Sequence, residues 1–152
     1  LLNSLPMVGK AARWKSRPES PPSVDDRLAQ RARAPLFGLE MFQQLRRSKV
    51  VLNTHIDISS SRASNLRLFE ATGVGACLLT DWKENMAELF NSEVEAVTYR
   101  SVEECAEKAQ YLLVHEDERQ KIAAAGQRRT LREHTYAQRA GQLDQVIRAA
   151  LR

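Results

Sequence analysis

Apolar positions along the chain follow two alternating patterns. Short, nearly continuous apolar runs occur at Lys49-Val50-Val51-Leu52-Asn53-Thr54, Ala76-Cys77-Leu78-Leu79-Thr80 and Glu95-Ala96-Val97-Thr98-Tyr99. Such runs predict strands buried on both faces, where no side chain has to meet water. Elsewhere the spacing is helical. Leu39, Met41, Phe42 and Leu45 predict a helix of about three turns. A further helix follows over Leu66–Thr72, ended by Gly73, with Gly75 allowing a tight turn into the next strand. Four more are expected over roughly 82–90, 102–115, 117–133 and 136–151. Asp81 with Glu84, Ser101 with Glu104 and Thr135 with Gln138 have the spacing of capping boxes. Strands alternating with helices predict an α/β fold, a Rossmann-like parallel sheet flanked by helices.

The N-terminal stretch differs. Residues 16–26 hold three prolines among small polar residues and read as a loop. Leu5-Pro6-Met7-Val8-Gly9 is a short strand candidate weakened by its proline. Two parts are therefore expected: a basic, proline-containing segment over 1–34 and the α/β domain over 35–152. The chain starts without an initiator Met, and Leu1–Leu5 has no basic region before it, as a signal peptide would. This predicts a piece of a longer protein, incomplete at the N-terminal side of its sheet, with an exposed sheet edge prone to pairing.

At 152 residues the chain suits one domain with a real core. Hydrophobic residues at 43% and charged residues at 28% are ordinary for a globular protein. The net charge of +4 matters only through its location. Residues 1–34 carry seven Lys/Arg against three acids, and the remaining 118 carry 16 of each sign. The globular part is neutral, which sets nucleic acid aside as a partner. No apolar run approaches the ~20 residues of a membrane helix. Cys77 and Cys105 are isolated and the three histidines are scattered, so no metal site is expected. Cys77 in its apolar run suggests a buried thiol in a reducing compartment. That points to the cytoplasm, in solution or at the inner membrane face.

In open parallel sheets, ligands sit beyond the carboxyl ends of the strands. Three places qualify here: Asn53–Asp57, the hydroxyl-rich loop Ser59–Asn65, and Asp81-Trp82. Arg67 falls in the first turn of the helix after that loop, where a cation opposes the helix dipole. An anion at the helix start, such as a phosphate or pyrophosphate, removes the mismatch. Glu70, one turn later, can accept hydrogen bonds from paired hydroxyls such as those of a ribose. The other reading is an i,i+3 surface ion pair worth ~0.2–0.5 kcal/mol; the residues alone leave both open. His55 and Asp57 can contact a sugar or serve acid–base work, and such residues also simply cap loops. Asp81 reads as a helix N-cap first and a ligand contact second. Trp82 either covers the site or fills the core edge, and His134 reads as structural.

The run from Gly38-Leu39-Glu40-Met41-Phe42 through Asn65-Leu66-Arg67-Leu68-Phe69-Glu70-Ala71 to Gly75-Ala76-Cys77-Leu78-Leu79-Thr80-Asp81 resembles a known family. It is similar to the C-terminal domain of group 1 glycosyltransferases, in particular the CgeB-like (spore maturation protein) branch. Glu88-Leu89-Phe90, Tyr99 with Ser101, Ile122-Ala123 with Gly126, and His134-Thr135-Tyr136 with Arg139 follow in the same order, so the resemblance spans roughly 35–148. It implies a GT-B enzyme, in which this domain binds a nucleotide-diphosphate sugar such as a UDP- or GDP-sugar. A second, N-terminal domain of the same protein would hold the acceptor, and the chain by itself would transfer nothing. Glu70 would be the ribose contact, Ser64, Asn65 and Arg67 the diphosphate grip, and His55 and Asp57 secondary contacts near the sugar. Arg67 would also stabilise the leaving diphosphate; no cofactor beyond the substrate is implied. Many group 1 enzymes carry a second glutamate, seven residues intervening, ahead of the one matched by Glu70. Here that position is Arg62, which leaves the retaining or inverting outcome open. The rival from another class is a non-catalytic doubly wound binding or regulatory module using the same strand ends. A further one makes the basic N-terminal arm a tether to a polyanion or membrane surface.

Overall fold

The structure, a computed structural model, describes residues 25–56 and 61–151. The chain divides into two units, Leu1–Pro35 and Leu36–Arg152. In the first, the described part is a single short helix, α1 (Asp26–Ala29). The expected loop thus gives way to helix at Asp26, because the Asp25 carboxylate accepts from the Arg27 N–H at 2.8 Å and caps it. The strand candidate Leu5–Gly9 and the prolines at 18, 21 and 22 lie outside the described residues.

The second unit runs α2 (Gly38–Arg47), β1 (Val50–Asn53), α3 (Arg67–Gly73), β2 (Cys77–Asp81), α4 (Met86–Leu89), β3 (Val97–Tyr99), α5 (Val102–Val114), α6 (Glu116–Glu133) and α7 (Tyr136–Ala150). The three strands form one parallel sheet in the order β1-β2-β3. Val50 pairs with Cys77 and Asn53 with Thr80, while Leu79 pairs with Val97 and Asp81 with Tyr99. This is the Rossmann-like α/β arrangement that the alternating pattern predicts.

Side chains of β2 alternate between two cores, which is why that strand is an unbroken apolar run. Leu78 joins Leu45, Val51, Leu68, Ala71, Met86 and Phe90 on one face. Cys77 and Leu79 join Val97, Leu112 and Ile122 on the other. Burial pushes the Cys77 thiol up to about 11, so it serves as a small apolar side chain. α6 packs against both α3 and β2. There Thr72 Oγ1 donates to the Leu68 carbonyl at 2.7 Å and lies 2.6 Å from Thr130 Oγ1, so both buried hydroxyls are matched.

Four expectations need correction. β1 is not buried on both faces: Leu52 is 61% exposed, because β1 is an edge of the described sheet. β3 starts at Val97, two residues late, since Glu93 N donates to Ala96 O and holds the preceding segment in a turn. The helix expected over 82–90 shrinks to the one turn of α4. Its proposed cap fails for a specific reason: Asp81 is the last residue of β2, and its carboxylate is taken by His55. Elsewhere the start signals hold. Ser101 Oγ accepts from Glu104 N at 3.2 Å, although the Glu104 carboxylate turns to Arg100 N. Thr135 and Gln138 form a complete capping box. Gly75 turns into β2 with φ +80°, a conformation that favours glycine.

Candidate functional site

The carboxyl ends of β1 and β2 lie side by side, and a chain of polar contacts joins them. Asn65 Nδ2 donates to Asn53 Oδ1 at 2.9 Å, and Asn53 Nδ2 donates to Thr80 Oγ1, also at 2.9 Å. Thr80 Oγ1 in turn donates to Asp81 Oδ1 at 3.3 Å. Asp81 Oδ1 also accepts from the His55 backbone N–H at 3.0 Å and lies 2.6 Å from His55 Nδ1. Lys83 Nζ stands 3.3 Å from Asp81 Oδ2. Burial works to raise the Asp81 pKa, yet the bonds from His55 and the Lys83 ammonium together hold it below the usual value.

His55 is deeply enclosed. Its side chain has no exposure, and Nε2 has no hydrogen-bond partner among the described residues. Leaving a buried polar atom unmatched costs about 1–3 kcal/mol, a cost that a site for ligand explains more readily than a site for packing. Asp57, expected beside His55, lies outside the described residues.

The loop ahead of α3 is pinned from the other side of the strand ends. Asn85 Oδ1 accepts from Ala63 N at 2.6 Å while its Nδ2 donates to Ala63 O at 3.0 Å. Glu84 N donates to Ser61 O at 2.9 Å. These bonds leave Ser64 exposed and Asn65 half-buried beside β1. Arg67 opens α3, with Nη1 3.3 Å from Glu70 Oε2. The i,i+3 pair is therefore formed, and both side chains keep solvent access, at 35% and 24% exposure. Glu70 also borders an apolar groove of about 360 Å³, walled by Phe42, Leu66, Phe69, Leu131 and Tyr136. Arg62 points away from this work and pairs with Glu88 on the surface.

Trp82 is partly exposed, with the Arg100 guanidinium 3.7 Å above its ring. His134 is built into the packing between Phe69 and Phe90, 2.9 Å from both the Leu89 carbonyl and an Arg139 nitrogen. Burial holds His134 below the ordinary histidine range. The structure thus joins His55 and Asn65 from the sequence reading through Asn53, Thr80 and the carboxylate of Asp81, pairs Arg67 with Glu70 on α3, and adds Lys83 beside Asp81 and Asn85 on the loop. The strand-end rule marked Asn53 and Asp81 as places; nothing in the sequence marked Asn85.

A parallel sheet with its polar residues gathered at the carboxyl ends of the strands defines a Rossmann-like α/β domain with one working edge. The sequence model of the glycosyl transferase-like family matches residues 3–145, and the chain belongs to that family. It is a glycosyltransferase-like domain, and its family points to glycosyl transfer. No curated protein matches the chain. Among the described residues no helix is long and apolar enough to cross a membrane, and no cluster of His, Cys, Asp or Glu is built to hold a metal ion.

Proposed function

We propose that this chain is the donor-binding domain of a two-domain GT-B glycosyltransferase of the CgeB-like branch, and that it takes a nucleotide-diphosphate sugar such as a UDP- or GDP-sugar. The observation that carries this reading is Arg67 and Glu70 standing together on the turn that follows the pinned loop, half-open to solvent. A guanidinium there suits a diphosphate, with Ser64 and Asn65 beside it. A carboxylate one turn on suits a ribose diol, and the apolar groove next to Glu70 suits the face of a base. Arg67, paired with Glu70 among the described residues, is primed to exchange partners when a diphosphate arrives. As the glycosidic bond breaks, negative charge grows on the leaving diphosphate, and Arg67 stabilises it. His55, with Asp57, contacts the sugar. The acceptor is held by a second domain, so this chain binds donor without transferring it.

Calorimetric titration with UDP, GDP and their sugar conjugates tests the reading. One nucleotide binds saturably, and Arg67→Ala and Glu70→Ala each weaken it by about tenfold to hundredfold. Saturable binding that ignores both substitutions would refute the assignment of the grip.

A further inference from the structure

One polar atom at the strand ends is left without a task in the fold. His55 Nδ1 is held by Asp81 at 2.6 Å, while Nε2 is buried and unmatched among the described residues. The carboxylate decides what that second nitrogen can bind. An ionised carboxylate only accepts, so the ring proton sits on Nδ1. In the neutral ring Nε2 then carries a lone pair and accepts a hydrogen bond. A diphosphate oxygen has no proton to offer it. A hydroxyl has one.

Position narrows the choice of hydroxyl. Glu70 pairs with Arg67 at the start of α3, two residues after Asn65, and from Asn65 the contacts run through Asn53 and Thr80 to Asp81 and His55. A nucleotide sugar has the same order: ribose, diphosphate, sugar. We propose that His55 Nε2 accepts a hydrogen bond from a hydroxyl of the transferred sugar, and that Asp81 is the positioning residue that fixes the ring's tautomer and direction. This deepens the donor-site reading and rests on it. The contact therefore reports the sugar-bearing ligand and not the nucleotide alone.

The test is ¹⁵N NMR of the chain labelled in its histidine rings, titrated with UDP, UDP-glucose, GDP and GDP-mannose. The Nε2 resonance of His55 moves with a sugar conjugate and stays in place with the matching nucleoside diphosphate. His55→Asn keeps an amide where Nδ1 stood and removes the acceptor. It leaves nucleoside diphosphate affinity unchanged and lowers sugar-conjugate affinity about tenfold. His55→Gln, whose amide oxygen reaches toward the Nε2 position, restores part of that loss. Asp81→Asn moves the ring proton from Nδ1 toward Nε2 in the same spectra. If a nucleoside diphosphate binds but its sugar conjugate leaves Nε2 unmoved, the sugar contact is overturned and the donor site stands. If Nε2 moves equally with both, the atom serves the nucleotide and the proposal fails. If none of the four ligands binds, the donor-site reading fails and takes this one with it. The unsubstituted protein decides even where a variant does not fold.

Discussion

At the scale of the residue, Asp81 shows how one carboxylate couples the site to stability. Burial opposes its charge, and the bonds from His55 and the nearby Lys83 ammonium outweigh that opposition. A carboxyl lowered by folding binds fewer protons in the native state than in the unfolded chain. Its stabilising effect is therefore full above the ordinary carboxyl value of 3.8 and is lost as pH falls through and below it. Asp81→Asn removes this dependence. Urea unfolding from pH 7 down to about pH 2 should show the parent losing stability faster than the variant below about pH 5. Parallel curves would mean that the bonds to His55 and Lys83 contribute nothing to the folded state. The same residue shows why part of the site was hidden in the sequence. Asp81 and Glu84 satisfy a capping spacing, but His55, 26 positions earlier, claims the carboxylate first. A local rule cannot see a partner at that distance.

At the scale of the element, the approach of α6 to the segment before β3 depends on one position. A Cβ added at Gly126 would stand 2.3 Å from the Glu95 carbonyl oxygen, which is backbone and cannot swing aside. Alanine is favoured over glycine in a helix by about 1 kcal/mol, so the two effects oppose each other. The overlap wins: Gly126→Ala should destabilise by about 1–3 kcal/mol. Gly141 on α7 meets nothing within 4 Å, and Gly141→Ala should stabilise by up to about 1 kcal/mol. Denaturant midpoints of the two variants check both signs at once. Elements defined by local pattern were legible in just this way. β2 reads as a strand because both its faces are covered, and α7 starts where its capping box says. The exposure of Leu52 and the shortness of α4 were not legible, because sheet order and competition for Asp81 are set by tertiary structure. Arg67 and Glu70 were legible as a pair, while the Asn85 bonds that pin their loop join residues 22 apart.

At the scale of the whole molecule, charge and site lie in different parts of the chain. The excess of Lys and Arg falls within residues 1–34, and residues 35–152 carry 16 charges of each sign. His55, Asn65, Arg67, Glu70 and Asp81, with both cores, belong to the unit Leu36–Arg152. The family match nevertheless begins at residue 3, so descent does not separate the two parts. Binding does separate them. If a nucleoside diphosphate were drawn only by general positive charge, removing residues 1–34 would abolish its effect. A site built from Arg67, Asn65 and Glu70 instead predicts that the chain beginning at Pro35 unfolds cooperatively and still gains stability from ligand. That gain is about 2.7 kcal/mol at a ligand concentration about 100 times Kd, equal to the gain of the full chain. Thermal unfolding of both chains across a ligand series measures it. An equal gain that fades with Arg67→Ala puts the recognition on α3 and the pinned loop. A gain lost with the truncation, in a protein that still folds, moves recognition of the anion to the basic segment and leaves Arg67 and Glu70 as a surface ion pair.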